Sequence, residues 1–138
     1  MVFKTKPDYL ADRFNLIGGK IESNETIEAA SLRELREESG FIPLGDPIIM
    51  GQITGSWGVV HCVKIPVAYG EANPAAGETE EFYWINWDEI RNTNLIQPNL
   101  NVIIPLMYSG VTGWVIEDEG QPTGYNQYSI KVILNNVK

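Results

Sequence analysis

Gly19 to Phe41 reads GKIESNETIEAASLRELREESGF, and most of what can be inferred about the chain follows from this run. A glycine is followed six residues on by Glu25. After seven further positions come Arg33-Glu34-Leu35-Arg36-Glu37-Glu38-Ser39-Gly40-Phe41. Asn24 and Thr26 are residue types that cap a helix start, and Glu25 and Glu28 fall where the helix dipole favours negative charge. Gly40 then supplies a residue that tolerates positive φ at a helix end. These signals predict a helix over Thr26 to Ser39.

On that helix Glu34, Glu37 and Glu38 are spaced i, i+3 and i+4, which places their carboxylates within an arc of roughly 100°. Like charges at this spacing repel, and more so when partly buried. A hard divalent cation relieves the repulsion, because Mg²⁺ takes carboxylate and carbonyl oxygens while keeping water and phosphate oxygens in its shell. The other reading of the same face is a solvated charged surface, with Arg33 pairing to Glu37 and Arg36 to nearby acids. Upstream, Phe14-Asn15-Leu16-Ile17 is a short apolar run that ends in Gly18-Gly19. Two glycines allow a sharp turn and a close approach of backbone to a ligand, or else an ordinary strand-to-loop turn.

The pattern G, five residues, E, seven residues, REU, one residue, EE, one residue, GU, with U a bulky apolar side chain, is filled at every fixed position. Average residue frequencies give such a match fewer than about once in a hundred million windows. The segment resembles the signature box of the Nudix hydrolases. The resemblance implies an α+β fold, an α/β/α sandwich around a mixed β-sheet, and Mg²⁺ as cofactor with Mn²⁺ able to substitute. It also implies that the Gly18 carbonyl, Glu37 and Glu38 ligate metal, and that Glu34 binds metal or orients and deprotonates the attacking water. Arg33 would hold a glutamate in place. Ile17 stands where relatives commonly have proline, a departure that alters loop stiffness more than chemistry.

Many Nudix proteins carry a further metal-reaching acid at the start of a later strand, where this chain has Glu80 and Glu81. Strand alternation turns only one of them inward, and Glu81 is preferred; a charged strand edge is the competing reading. The implied substrate is a nucleoside diphosphate linked to another group X. Ser56, Trp57 and Gly58 occupy the zone where ADP-ribose hydrolases carry a proline and diadenosine polyphosphate hydrolases a tyrosine. By elimination a nucleoside or deoxynucleoside triphosphate is favoured. Arg13, Lys20 and the Gly19 backbone are the candidate phosphate contacts, and Trp57, Tyr9 or Phe14 the candidate base platform. The contrasting function is a non-catalytic Nudix-fold module that senses a nucleotide; such modules usually lose box carboxylates, and all are kept here.

With 138 residues and 43% apolar content, the chain is expected to form one domain, residues 1–138, around its own core. It lacks an 18-residue apolar run and a signal-like N-terminus, which predicts a cytoplasmic protein without a membrane partner. Cys62 is the only cysteine and His61 the only histidine, so neither has companions for a zinc site or a triad. A net charge of −8 argues against non-specific nucleic-acid binding. Yet Lys4, Lys6, Arg13 and Lys20 place four of the ten basic residues in the first 20 positions, beside the glycine turn, as an anionic polyphosphate requires.

Further on, Pro47 to Thr54 and Gly58 to Tyr69 read as strands around a Gly55-Ser56-Trp57-Gly58 turn, and Asn73 to Gly77 as a loop. Glu81 to Trp87 is a β-like aromatic run, with Trp84 and Ile90 expected in the core. Pro98 can open a helix through Met107, interrupted or bent at Pro105. Tyr125 to Leu134 is the last predicted strand. Only Val2 to Thr5 is available as an N-terminal strand, a stub. The shortened sheet edge would then be left reduced or covered by the C-terminal strand, within the chain or across a two-fold homodimer.

Overall fold

Thr26 opens the first helix as its residue types require. Its backbone is extended (φ −77°, ψ 164°) and its Oγ1 accepts the Ala29 N–H at 3.0 Å, so one of the orphan amides of the first turn is satisfied. Asn24, the other predicted cap, lies in the left-handed region instead (φ 64°). Helix α1 spans Ile27–Ser39 and stops at Gly40, which takes φ 74° and donates its N–H to the Arg36 carbonyl at 2.9 Å. The helix therefore occupies the predicted span. These coordinates come from a computed structural model, which describes residues 2–4, 14–78, 82–118 and 130–134, the first and last of these ranges as backbone only.

The chain divides into two compact units. One comprises Met1–Pro47 and Ile65–Gln97, the other Ile48–Lys64 and Pro98–Lys138. In the first unit the N-terminal stub is strand β1 (Val2–Lys4). It pairs antiparallel with β4 (Phe82–Trp84), in the register Val2↔Trp84, Phe3↔Tyr83 and Lys4↔Phe82. A one-turn helix, α2 (Trp87–Ile90), follows β4, with the Asn86 side chain accepting the Asp88 N–H at 3.0 Å. Ala30, Leu35, Ile90 and Ile96 are buried here. Phe41 packs its ring against Phe82 and Trp84 at centroid distances of 5.2 and 5.3 Å, a spacing that favours edge and offset contacts. Trp84 also donates its indole N–H to the Gly70 carbonyl at 2.8 Å, so its polar atom is satisfied, and Ile90 is buried as expected.

The second unit is built on a four-stranded mixed sheet of order β3-β2-β5-β6. Strands β2 (Ile48–Gly55) and β3 (Gly58–Lys64) form the predicted hairpin around Ser56-Trp57, with Gly58 at φ 136°. Strand β5 (Trp114–Asp118) runs parallel to β2, and β6 (Ile130–Leu134) pairs antiparallel with β5 over all five of its residues. The C-terminal strand thus extends this sheet, while the N-terminal stub pairs in the other unit; residues 125–129 of the predicted strand lie outside the described residues. Helix α3 (Leu100–Ser109) carries Pro105 in its interior and continues through it, ending at Gly110 (φ 78°) rather than at Met107. Met50, Ile53, Cys62, Leu100, Ile103, Ile104, Trp114 and Ile116 are buried in this unit. Helices with a mixed sheet are the α+β class that the sequence implied. No helix among the described residues is long and apolar enough to cross a membrane.

Strand β5 is an addition to the sequence reading. Its inward set is Trp114, Ile116 and Asp118, with Val115 and Glu117 half-buried, so an acid sits on the buried side and a valine on the other. That arrangement hides the period of two by which strands are recognised. Asp118 is satisfied in part by the Asn99 side-chain amide at 3.4 Å.

Candidate active site

The glycine turn is held from behind by the segment that precedes it. Phe14 forms a parallel bridge with Ile96, donating its N–H to the Leu95 carbonyl at 2.6 Å and accepting the Gln97 N–H at 3.1 Å. Ile96 is fully buried, so the chain enters Gly18-Gly19 from a fixed point. Gly18, Gly19 and Lys20 are then exposed.

Both glycines meet a glutamate of α1. Gly18 donates its N–H to Glu38 Oε2 at 3.2 Å, and Glu38 is only 7% exposed. A Cβ built on Gly19 would overlap the Glu34 carboxylate, so a larger residue there would make that side chain shift. The turn and the acidic face of the helix are therefore in contact through two of the three predicted carboxylates.

Arg33 organises the rest. Its Nε and Nη2 donate to the two carboxylate oxygens of Glu25 at 2.8 and 3.0 Å, a bidentate fork. Its Nη2 also reaches the Lys20 carbonyl at 2.9 Å. Its Nη1 donates to Glu34 at 2.9 Å and to Glu37 at 3.3 Å, and lies 3.9 Å from Glu22. One guanidinium thus ties the loop before the helix to two turns of the acidic face. The Arg33 hydrogen bonds, with the Glu22 N–H in support, hold the Glu25 carboxyl down at about 2, well below its ordinary 4.5. Reciprocally, Glu25 and then Glu34 push the Arg33 pKa further up.

The three face glutamates are held differently. Glu34 is largely covered, between Arg33 and Gly19; Glu37 is half-exposed with Arg33 as partner; Glu38 is buried against the Gly18 amide. Both readings of the face are therefore realised in part, since the Arg33–Glu37 pair is present alongside the glycine contacts. Among the described residues no three His, Cys, Asp or Glu side chains converge closely enough to share one ion.

Of the other predicted site residues, Lys20 stands exposed on the glycine loop. Trp57 belongs to the second unit, at the β2–β3 turn, and is 55% exposed. Arg13 and Glu81 lie outside the described residues, as do Tyr9 and Glu80. Glu25 is the member of this network that spacing alone left without its partner. It was legible as a dipole-facing acid at the helix start, whereas its tie to Arg33 spans eight positions and a turn of loop.

A family model described as NUDIX domain matches residues 3–106 of the chain. No curated protein matches it.

Proposed function

Because this chain belongs to the Nudix family, hydrolases of nucleoside diphosphates linked to a further group X, we propose that it cleaves a phosphoanhydride bond in a nucleoside or deoxynucleoside triphosphate, with Mg²⁺ as cofactor. The observation that carries the reading is the contact of the carboxylate helix with the glycine turn, Glu38 on the Gly18 amide and Glu34 on Gly19. The donor set fits a hard divalent cation: carboxylate and carbonyl oxygens, with no thiol or imidazole among them. Glu37, Glu38 and the Gly18 carbonyl would hold the ion, with Glu34 and Glu81 as further candidates. When bound, such an ion neutralises phosphate charge and makes water a better nucleophile.

The chain's own residues divide the remaining work. Glu34, flanked by Arg33 and pressed onto Gly19, orients and deprotonates the attacking water. Arg33 ties the helix face to the Lys20 carbonyl and to Glu25. Lys20 and Arg13 attract the polyphosphate in a chain of net charge −8.

A non-catalytic nucleotide-sensing module is the second reading. It is favoured by the Arg33 contacts to Glu34 and Glu37, which occupy oxygens that a metal would use. Retention of every box carboxylate weighs against it. A panel of nucleotides incubated with Mg²⁺ or Mn²⁺, scored for phosphate, pyrophosphate and monophosphate, separates the two. Pyrophosphate and monophosphate from a triphosphate are expected. Tight nucleotide binding with no product from any member would establish the sensing module.

A further inference from the structure

The last turn of α1 carries Glu37 and Glu38, and helix ends are where backbone frays most easily. The final carbonyls of a helix have no partner within it and must find one elsewhere. Here Arg36 O accepts from Gly40, as a glycine cap provides. Two of the others are taken by a distant segment of the same unit. Ala75 donates its N–H to Glu37 O at 2.9 Å, and Asn73 donates to Ser39 O at 2.8 Å. Pro74 stands between the two donors and has no N–H to leave unsatisfied. A turn from the Ala75 carbonyl to the Glu78 N–H at 3.1 Å closes the loop behind them. Gly40 is required for this approach as well as for its φ, since a Cβ there would overlap the Asn73 carbonyl.

We infer that Asn73-Pro74-Ala75 is a backbone clamp that positions the carboxylates of Glu37 and Glu38 for the divalent cation, an inference that rests on the metal-dependent reading above. The argument is strongest at Glu37. Glu38 is buried, so packing and the Gly18 amide orient it. The Glu37 side chain is 48% exposed, with Arg33 Nη1 at 3.3 Å as its partner, and it stands on a residue whose backbone carbonyl the Ala75 amide holds. Carboxylates brought together for one ion repel until it arrives, and a frayed last turn would let them separate. Asn73 and Ala75 act as positioning residues, through main-chain atoms alone.

Replacing Ala75 with proline removes the amide donor, and Ala75→Gly restores it. Titration of each folded protein with Mn²⁺ by calorimetry should show Ala75→Pro weakened at least about tenfold, as loss of supporting contacts around a metal site commonly does, with Ala75→Gly recovering the affinity. Nucleotide KM measured at saturating Mn²⁺ should stay near that of the unsubstituted protein, because the clamp acts on the metal-holding turn. Ala75→Pro that binds Mn²⁺ within about twofold of the unsubstituted protein would overturn the clamp alone. An unsubstituted protein that binds no Mn²⁺ would overturn the metal-dependent reading and the clamp with it. Should Ala75→Pro fail to fold, amide hydrogen exchange in the unsubstituted protein decides: the Asn73 and Ala75 amides should exchange more slowly with Mn²⁺ bound, and equal exchange in the two conditions rejects the clamp.

Discussion

Helices α1 and α3 end alike and are built on opposite principles. Each stops at a left-handed glycine, Gly40 at φ 74° and Gly110 at φ 78°. Helix α1 has six charged residues in thirteen, a side-chain cap at Thr26, and a polar network centred on Arg33. Helix α3 has no charged residue in ten, no side-chain cap bond at Asn99, and a proline in its interior that cannot donate to the Asn101 carbonyl. What holds α3 is burial: Leu100, Ile103 and Ile104 are 1 to 2% exposed. Apolar packing tolerates poor local helix chemistry, as tertiary context commonly overrides propensity. Helix α1 holds its place with directional polar contacts, and these tie its carboxylates to Arg33 and to the glycine turn.

The comparison breaks most visibly at the carboxylates. Glu37→Gln and Glu38→Gln should each remove tight Mn²⁺ binding and reduce turnover by roughly two orders of magnitude or more, since a metal supplies several kcal/mol of charge stabilisation. Thermal melting of Glu37→Gln should stay close to that of the unsubstituted protein, because its half-exposed side chain contributes little packing. Unchanged Mn²⁺ affinity in both variants would remove α1 from the chemistry. For α3 the outcome reverses. Ile104→Ala deletes a side chain that is 2% exposed and should cost about 2 to 5 kcal/mol in urea denaturation. Activity per folded molecule should persist.

The same contrast explains what could be read in advance. The extent of α1 was legible because its signals are local and polar: Thr26 before the run, Gly40 after it, and glutamates at helical spacing. The glycine turn was legible for the same reason, and its contacts with Glu34 and Glu38 agree with the spacing. Strand β5 was not, since Asp118 is buried and Val115 is turned to the other side, so no alternation marks it. The Asn73 to Ala75 contacts left no trace either, because main-chain donors carry no side-chain signature. Glu25 was visible only as an acid near a helix start. Its carboxylate and Arg33 are brought together by the loop, a tertiary relation that periodicity does not encode.

Acid titration gives the smallest effect and the sharpest contrast between the two helices. Glu25 is held at about 2 by Arg33, below its ordinary 4.5. A carboxyl whose folded pKa is depressed contributes stability that is present above the unfolded value and disappears as pH falls through the folded one. The Glu25–Arg33 contribution should therefore be full above pH about 4.5 and lost as pH falls through about 2. Arg33 stays protonated throughout this window and adds no slope of its own. Urea midpoints of the unsubstituted protein and Glu25→Gln, compared across the window, should differ most at its upper end and converge at its lower end. The difference between Ile104→Ala and the unsubstituted protein should stay flat over the same range, because no proton is taken up by what it removes. A Glu25→Gln difference that is equally flat would mean that the Arg33 fork does not stabilise α1, and that this helix, like α3, is held by packing.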